Sequence, residues 1–260
     1  MARQQREPQG PPPPPAVQKL RIRYAKRGRL RFSSTRDFQR ALERALRRAQ
    51  MPIAFSAGFH PHPKISYANA ASTGTASEAE YVEVSLTERR DPDVVRALLD
   101  EALPVGLDVV TVVEAPTGAL ADLLQASDWV VAFRGLQPAA LHDAVARFLA
   151  EDGVDVTRML KTGPRTFDTR SAVVTAYVTD RDSQPDLAAL VLGECAILRM
   201  VVRHTTPAVR PDDILTALRA VAGLEPPTPP LVIRLAQGPL RGDSTTVADP
   251  LAVAEETVGD

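Results

Sequence analysis

A single cysteine, Cys195, stands in a chain of 260 residues. One thiol makes no internal disulfide, no cysteine zinc site and no iron–sulfur cluster, so chemistry of those kinds is excluded for this chain by itself. Cys195 lies in the apolar run CAILRMVV and reads as a small buried hydrophobe in a strand. Aromatic residues make up 5% of the chain, so any binding by base stacking rests on a handful of rings. No apolar run approaches the ~18–20 residues that cross a bilayer. The start, MARQQREPQGPPPPPAVQ, has charges with no apolar stretch behind them, which is not the pattern of a signal peptide. A cytoplasmic protein with no membrane partner is the expectation. Between 53 and 81 there is no Gly-x-Gly phosphate loop.

What is present is a strong asymmetry of charge. Between Lys19 and Lys64 thirteen Lys or Arg face only Asp37 and Glu43, a local net of +11 in a chain whose net is −1. A basic segment inside an otherwise acidic chain points to a polyanion partner, most simply nucleic-acid phosphate. The plain alternative is a solvated basic face with no partner.

Hydrophobic content of 44% with 24% charge is ordinary for a soluble globular chain, long enough for one large domain or two small ones. Residues 1–18 form a polar leader whose five prolines, Pro11–Pro15, favour polyproline II and do not pack. Leu20, Ile22 and Tyr24 alternate with Arg21 and Arg23, the period of a half-buried strand. Lys26-Arg27-Gly28 makes a turn, and Leu30-Arg31-Phe32 is expected to return as extended chain. Ser34, Thr35 and Asp37 offer cap oxygens to a helix that buries Phe38, Leu42, Ala45, Leu46 and Ala49 and is stopped by Pro52. Val82, Val84 and Leu86 mark a strand, Asp91-Pro92 opens a helix, and Leu107 to Val113 is a strand.

The order then recurs. Trp129 to Phe133 reads as a strand, Pro138 to Ala150 as a helix, and Val154 to Leu160 as weakly extended. Val173 to Val178 and Ala196 to Val202 are β-rich, with room for a short helix at Leu187 to Leu192. Pro211 opens a helix and Leu231 to Leu235 is a strand. The predicted fold is α+β, two tandem ferredoxin-like (βαββαβ) units at 19–115 and 128–237, joined by a linker at 116–127 and followed by a loose tail at 238–260.

Arg36, Arg40, Arg44 and Arg48 recur every four residues opposite the apolar stripe, with Arg47 beside them, and form a ladder of guanidinium groups. Downstream, GFHPHPK carries alternating prolines that hold it extended, so His60, His62 and Lys64 are expected in one row beside that ladder, with Phe59 and Tyr67 offered to bases. The alternative is a rigid crossover loop. A metal site on His60 and His62 lacks a third ligand, since only His142 and His204 remain. General acid–base work by His60, His62 and Lys64, as in metal-independent RNA cleavage, needs the same residues as binding. Glu78, Glu80 and Glu83 have the types for paired carboxylates but read better as a solvated strand edge. Arg158, Lys161, Arg165 and Arg170 make a second basic group, with Asp168 a partner for Arg165 or Arg170. They either extend the polyanion surface or form a plain surface loop.

The run LRFSSTRDFQRALERALRRAQMPIAFSAGFHPHPKISYA, followed by SEAEYVEVSL and LPVGLDVV, resembles a bacterial domain-of-unknown-function family known as radical SAM-associated or radical SAM-linked proteins. The likeness is specific from Lys19 to Ala115 and collinear to about residue 240, including FDTR at Phe167 to Arg170. Thr35 stands where that family commonly has a histidine. The resemblance implies a radical SAM protein as partner and, from gene neighbourhoods rich in ribonuclease and ribosomal-protein genes, an RNA setting. It implies that the partner, not this chain, carries an iron–sulfur cluster and S-adenosylmethionine. The expected function is an accessory protein that binds RNA or presents a substrate to that partner. An RNA-processing enzyme using His60 or His62, and a purely protein-binding subunit, are the alternatives.

Overall fold

The computed structural model describes residues 13–252 apart from 117, 182, 185, 186, 188, 192, 243 and 244. Most of the proline-rich leader (1–12) and the last residues (253–260) lie outside the described residues, as does part of the expected 187–192 helix. Among the described residues the fold is mixed α+β, with a mixed sheet and five α-helices. No helix is long and apolar enough to cross a membrane among the described residues. The chain divides into two compact units, one made of 13–73 and 80–120, the other of 74–79 and 121–252.

The first unit runs β1 (Gln18–Lys26), α1 (Thr35–Arg48), β2 (Ile65–Ala68), β3 (Ala76–Leu86), α2 (Pro92–Ala102) and β4 (Leu107–Glu114). Its strand order is β4-β1-β3-β2, with β4 antiparallel to β1 and β2 antiparallel to β3. Leu20, Ile22 and Tyr24 of β1 join Val82, Val84 and Leu86 of β3 under Phe38 and Leu42 of α1 and Val95 and Leu99 of α2. Each such side chain contributes roughly 1.5–3 kcal/mol on burial. Tyr24 and Phe38 stack with centroids 4.0 Å apart, pinning α1 to the sheet.

Two local expectations fail here for backbone reasons. The chain after β1 does not return extended; Gly28 adopts φ +53° and residues Gly28–Phe32 wind into a 3-10 turn. Ser33 donates its hydroxyl to the Leu30 carbonyl at 2.6 Å and closes that turn. Helix α1 starts as the cap oxygens predict, with Ser34 and Asp37 forming a reciprocal capping box. It ends before Pro52 acts, because Gln50 turns left-handed at φ 52°.

The four-residue α3 (Leu120–Leu123) straddles the division of the chain. The second unit then runs β5 (Ala126–Phe133), α4 (Pro138–Ala150), β6 (Asp155–Leu160), β7 (Gly163–Asp168), β8 (Val173–Thr179), β9 (Ala196–Arg203), α5 (Pro211–Ala222) and β10 (Leu231–Gly238). The order is β10-β5-β9-β8, all antiparallel, and the first residues of β3 (Ala76, Ser77) pair parallel with Ile233 and Arg234 of β10. Residues 74–79, expected in the first unit, belong to the second compact body.

Trp129, Val131 and Phe133 pack beneath Leu141 and Phe148 of α4 and Ile214 and Leu218 of α5. Val130 and Ala132 meet Leu187, Ile197 and Ile233 on the other face. Burial on both faces is why WVVAF is continuously apolar rather than alternating. Cys195 is half-buried at the edge of that second cluster, and burial is the main reason its thiol pKa is raised. The weakly extended 154–160 segment pairs with 163–168 as a hairpin separate from the main sheet.

The expected loose tail is packed where it is described, at 238–242 and 245–252. Leu240 bridges Val247, Leu251 is buried, and a Cβ on Gly238 would sit 2.1 Å from the Ala248 carbonyl oxygen.

Candidate functional site

Helix α1 carries two opposite faces. At about 100° per residue Arg36, Arg40, Arg44 and Arg47 fall within about 80° of one another, centred opposite the buried Phe38, Leu42 and Ala45. All four are exposed, and among the described residues no hydrogen bond or ion pair holds their guanidinium groups. Arg48 lies about 40° beyond the stripe and differs: its Nη1 donates to the Ala102 carbonyl at 3.3 Å, tying α1 to the end of α2. Like charges four residues apart disfavour an isolated helix by about 0.2–0.5 kcal/mol per pair. Arg36, in the first turn, also opposes the helix dipole. The core holds α1 together against that repulsion. Asp37 is the one acid in the first turn, and the Ser34 hydroxyl, then the Ser34 backbone, keep its carboxyl below the usual range. Thr35, where the resembled family has histidine, is exposed at the first position of α1.

After α1 the chain folds back as a finger. The outgoing arm pairs with the end of β3: Ala54 N–H donates to the Ser85 carbonyl at 2.8 Å and Thr87 N–H to the Pro52 carbonyl at 2.7 Å. The returning arm pairs with the outgoing one, Ser56 N–H to the His62 carbonyl at 2.9 Å and Lys64 N–H to the Ala54 carbonyl at 2.8 Å. The tip, 57–60, is a bend, with Gly58 at φ +129°, a backbone conformation that residues with a Cβ rarely take. GFHPHPK is therefore not one extended strip. His60 ends the bend, while His62 and Lys64 ride on the returning arm, both exposed, with Pro63 turned to the opposite side. Phe59 at the tip is 60% exposed.

Tyr67 does not join them. On the short β2 it alternates with Ser66 to the core side, where its ring meets Phe38 edge-on at 6.1 Å. Its hydroxyl is buried without a hydrogen-bond partner among the described residues. Burial first, and then the nearby Glu43 charge, push it up to about 12. Between the flank of α1 and the finger lies a cavity of about 450 Å³. Leu46, Met51, Ile53, Phe55 and Ile65 line it together with Pro52 and Pro63. Among the described residues its charged lining is Glu43 and Arg47.

The acidic cluster is not a solvated edge. Glu80 and Glu83 are buried, because β3 lies between β1 and β2. Glu83 accepts from Arg21 Nε at 2.9 Å and pairs with Lys19 at 2.8 Å; Glu80 accepts from the Ala71 backbone N–H at 2.9 Å. Burial works against the Glu83 charge, but the Lys19 and Arg21 hydrogen bonds outweigh it and hold the carboxyl below its ordinary range. Arg21 is 1% exposed and also donates to the Gly118 carbonyl. These groups bond within the first unit, Glu83 to Lys19 and Arg21 and Glu80 to the Ala71 backbone.

In the second unit the basic group splits. Arg158 binds the buried Asp213 and the Ala208 carbonyl, with its guanidinium 5.0 Å from the Phe167 ring centre. Burial pushes Asp213 up, more than Arg158 and the Arg210 backbone pull it down. Arg170 donates to the Leu149 and Val173 carbonyls. Asp168 pairs with neither Arg165 nor Arg170 side chain; it accepts from the backbone N–H groups of Val154, Arg170 and Ser171 at 2.8–3.1 Å. Its burial is outweighed by the Ser171 hydroxyl hydrogen bond first and then by these backbone bonds, so its carboxyl also sits low. Lys161 and Arg165 are exposed on the hairpin. His142 is exposed on α4. His204 is held between the Leu124 carbonyl and Ser127 Oγ, and burial lowers its pKa. No group of three His, Cys, Asp or Glu is placed to hold a metal among the described residues.

Sequence reasoning missed the aromatic and apolar parts of the site. Phe32, 58% exposed with Arg31 stacked 4.4 Å from its ring centre, precedes α1; Phe55 is exposed where it lines the cavity. Phenylalanines inside so basic a segment, RLRFSS and MPIAFSAGF, were the available signal.

Among curated proteins none matches the chain. Residues 19–211, from β1 to the start of α5, match the family described as an uncharacterised protein conserved in bacteria (DUF2344), and the chain belongs to that family.

Proposed function

We propose that the chain is an accessory RNA-binding protein whose first unit grips single-stranded RNA. The stripe Arg36, Arg40, Arg44 and Arg47 would meet the phosphates, with His62 and Lys64 of the finger beside it and Phe59 stacking on a base. The observation that carries this reading is that four neighbouring guanidinium groups on α1 are exposed and, among the described residues, make no hydrogen bond or ion pair, although like charges four apart disfavour the helix. Arg158, Arg170 and Tyr67 leave the proposed interface, since each is committed to internal bonds or packing. Lys161 and Arg165 stay as exposed candidates in the second unit.

The strand orders β4-β1-β3-β2 and β10-β5-β9-β8 support reading both units as ferredoxin-like, the second carrying the β6–β7 hairpin as an insertion. The resemblance to radical SAM-associated proteins supports a cytoplasmic place beside such an enzyme. There this chain would hold the RNA, and the partner would supply the cluster and S-adenosylmethionine. A lone Cys195 fits that division of labour.

Titration of a labelled single-stranded RNA into the purified chain at rising salt tests the reading. Four phosphate contacts predict a log–log slope of about −3. A slope near zero, or no complex at low salt, overturns it.

A further inference from the structure

The cavity beside the arginine stripe has a composition of its own. Its walls are apolar and stiff: Pro52 and Pro63 restrict the two arms of the finger, and Met51, Ile53 and Phe55 face Leu46 of α1. At about 450 Å³ it lies near the small end of the ~300–1,000 Å³ range of ligand sites. Among the described residues two charges break the apolar lining, Glu43 and Arg47. Beside Glu43 the Tyr67 hydroxyl is buried with no hydrogen-bond partner among those residues. Arg47 belongs at once to the cavity and to the stripe.

Resting on the RNA reading above, we infer that this cavity takes one unstacked guanine of a single-stranded RNA, with Glu43 reading its Watson–Crick edge and Arg47 holding the adjoining phosphate. A flat base needs apolar walls and an aromatic neighbour, which Met51, Ile53 and Phe55 supply. An ionised carboxylate only accepts hydrogen bonds, through two oxygens. Guanine alone among the four bases offers adjacent N1–H and N2–H donors on that edge. Adenine and cytosine place an acceptor beside their amino group, and uracil flanks its single N–H with carbonyls. A strand fits better than a free nucleotide. From Arg47 the stripe continues for eleven residues of helix, about 16 Å, longer than one phosphate spans.

The test uses the full chain with GMP, AMP, CMP and UMP, and with ten-residue oligouridines with and without one central guanine. The single-guanine RNA is expected to bind about tenfold or more tightly than oligouridine, and GMP to lead the mononucleotides by a similar ratio. Glu43→Gln should erase the guanine preference and leave oligouridine affinity unchanged. Ile53→Trp, which fills the cavity, should do the same, with thermal melts confirming that both variants fold. Equal affinity for the two RNAs, unmoved by either variant, overturns the inference, leaves the arginine-stripe reading standing and gives the cavity to an apolar side chain of a protein partner. GMP binding without any guanine effect in RNA overturns the strand and leaves a free-nucleotide site. Failure of every RNA to bind at low salt removes the parent reading as well.

Discussion

Two groups of arginines look alike in the sequence and do opposite work in the molecule. On α1 the guanidinium groups of Arg36, Arg40, Arg44 and Arg47 make no hydrogen bond or ion pair among the described residues. On and after the β6–β7 hairpin, Arg158 and Arg170 spend theirs on Asp213 and on the carbonyls of Ala208, Leu149 and Val173. The difference follows from position. A residue on the outer face of a packed helix reaches only solvent. One on or just after the inward face of a hairpin reaches the ends of helices and strands, whose carbonyls and carboxylates need donors. Charge content alone does not separate an interface from an internal brace.

Substitutions sharpen that contrast, and the largest effect is expected in the second unit. Arg158→Met strands Asp213 in a buried site and should cost about 3 kcal/mol at neutral pH, read by urea unfolding. The Asp213 pKa is already raised and rises further without its partner, so the loss should shrink as pH falls and the carboxyl protonates. A pH-independent loss would mean that packing, not charge, is what Arg158 supplies. Arg40→Glu with Arg44→Glu should do the reverse. We expect stability within about 0.5 kcal/mol of the parent and RNA affinity at low salt down more than tenfold, measured by anisotropy. Were the same double variant to unfold and still bind RNA, the comparison would collapse.

Smaller effects follow at the finger and in acid. Phe59→Ala removes one stacking ring and should weaken RNA binding about tenfold with no change in melting temperature. An unchanged affinity would take Phe59 out of the interface. Glu83 and Asp168 carry carboxyls held below their ordinary range. Their contribution is complete above the usual carboxylate values and is lost as pH falls through the depressed ones. Asp168→Asn should therefore flatten the decline of stability between about pH 5 and pH 3. A decline as steep as the parent's would assign acid sensitivity elsewhere.

Much of the fold was legible because its signals are local. The alternation at Leu20, Ile22 and Tyr24, the Ser34–Asp37 cap and the 3.6-residue spacing of α1 each lie within one element. The arginine stripe was legible for the same reason. What escaped depends on partners far along the chain. Arg158 finds Asp213 55 residues later, and Glu83 finds Arg21 62 residues earlier. The inward turn of Tyr67 is set by the phase of a four-residue strand that follows a proline-rich finger, where no long alternation fixes which side is which. The cavity needed Gln50 to turn left-handed, which no glycine announces, and the finger to fold back at Gly58 onto partners that only the fold supplies.

The pairing of Ala76 and Ser77 with β10 has a further consequence for how this gene can be divided. A cut in the 116–127 region looks natural from composition, yet a product starting at 121 would lack the six residues 74–79 that its own compact body includes. A product ending at 120 would keep those six with no β10 to receive them. The shortest uninterrupted stretch holding the second body whole starts at 74 and carries 80–120 with it. A product starting at 74 is thus the shortest one in which the second body has every residue of its own.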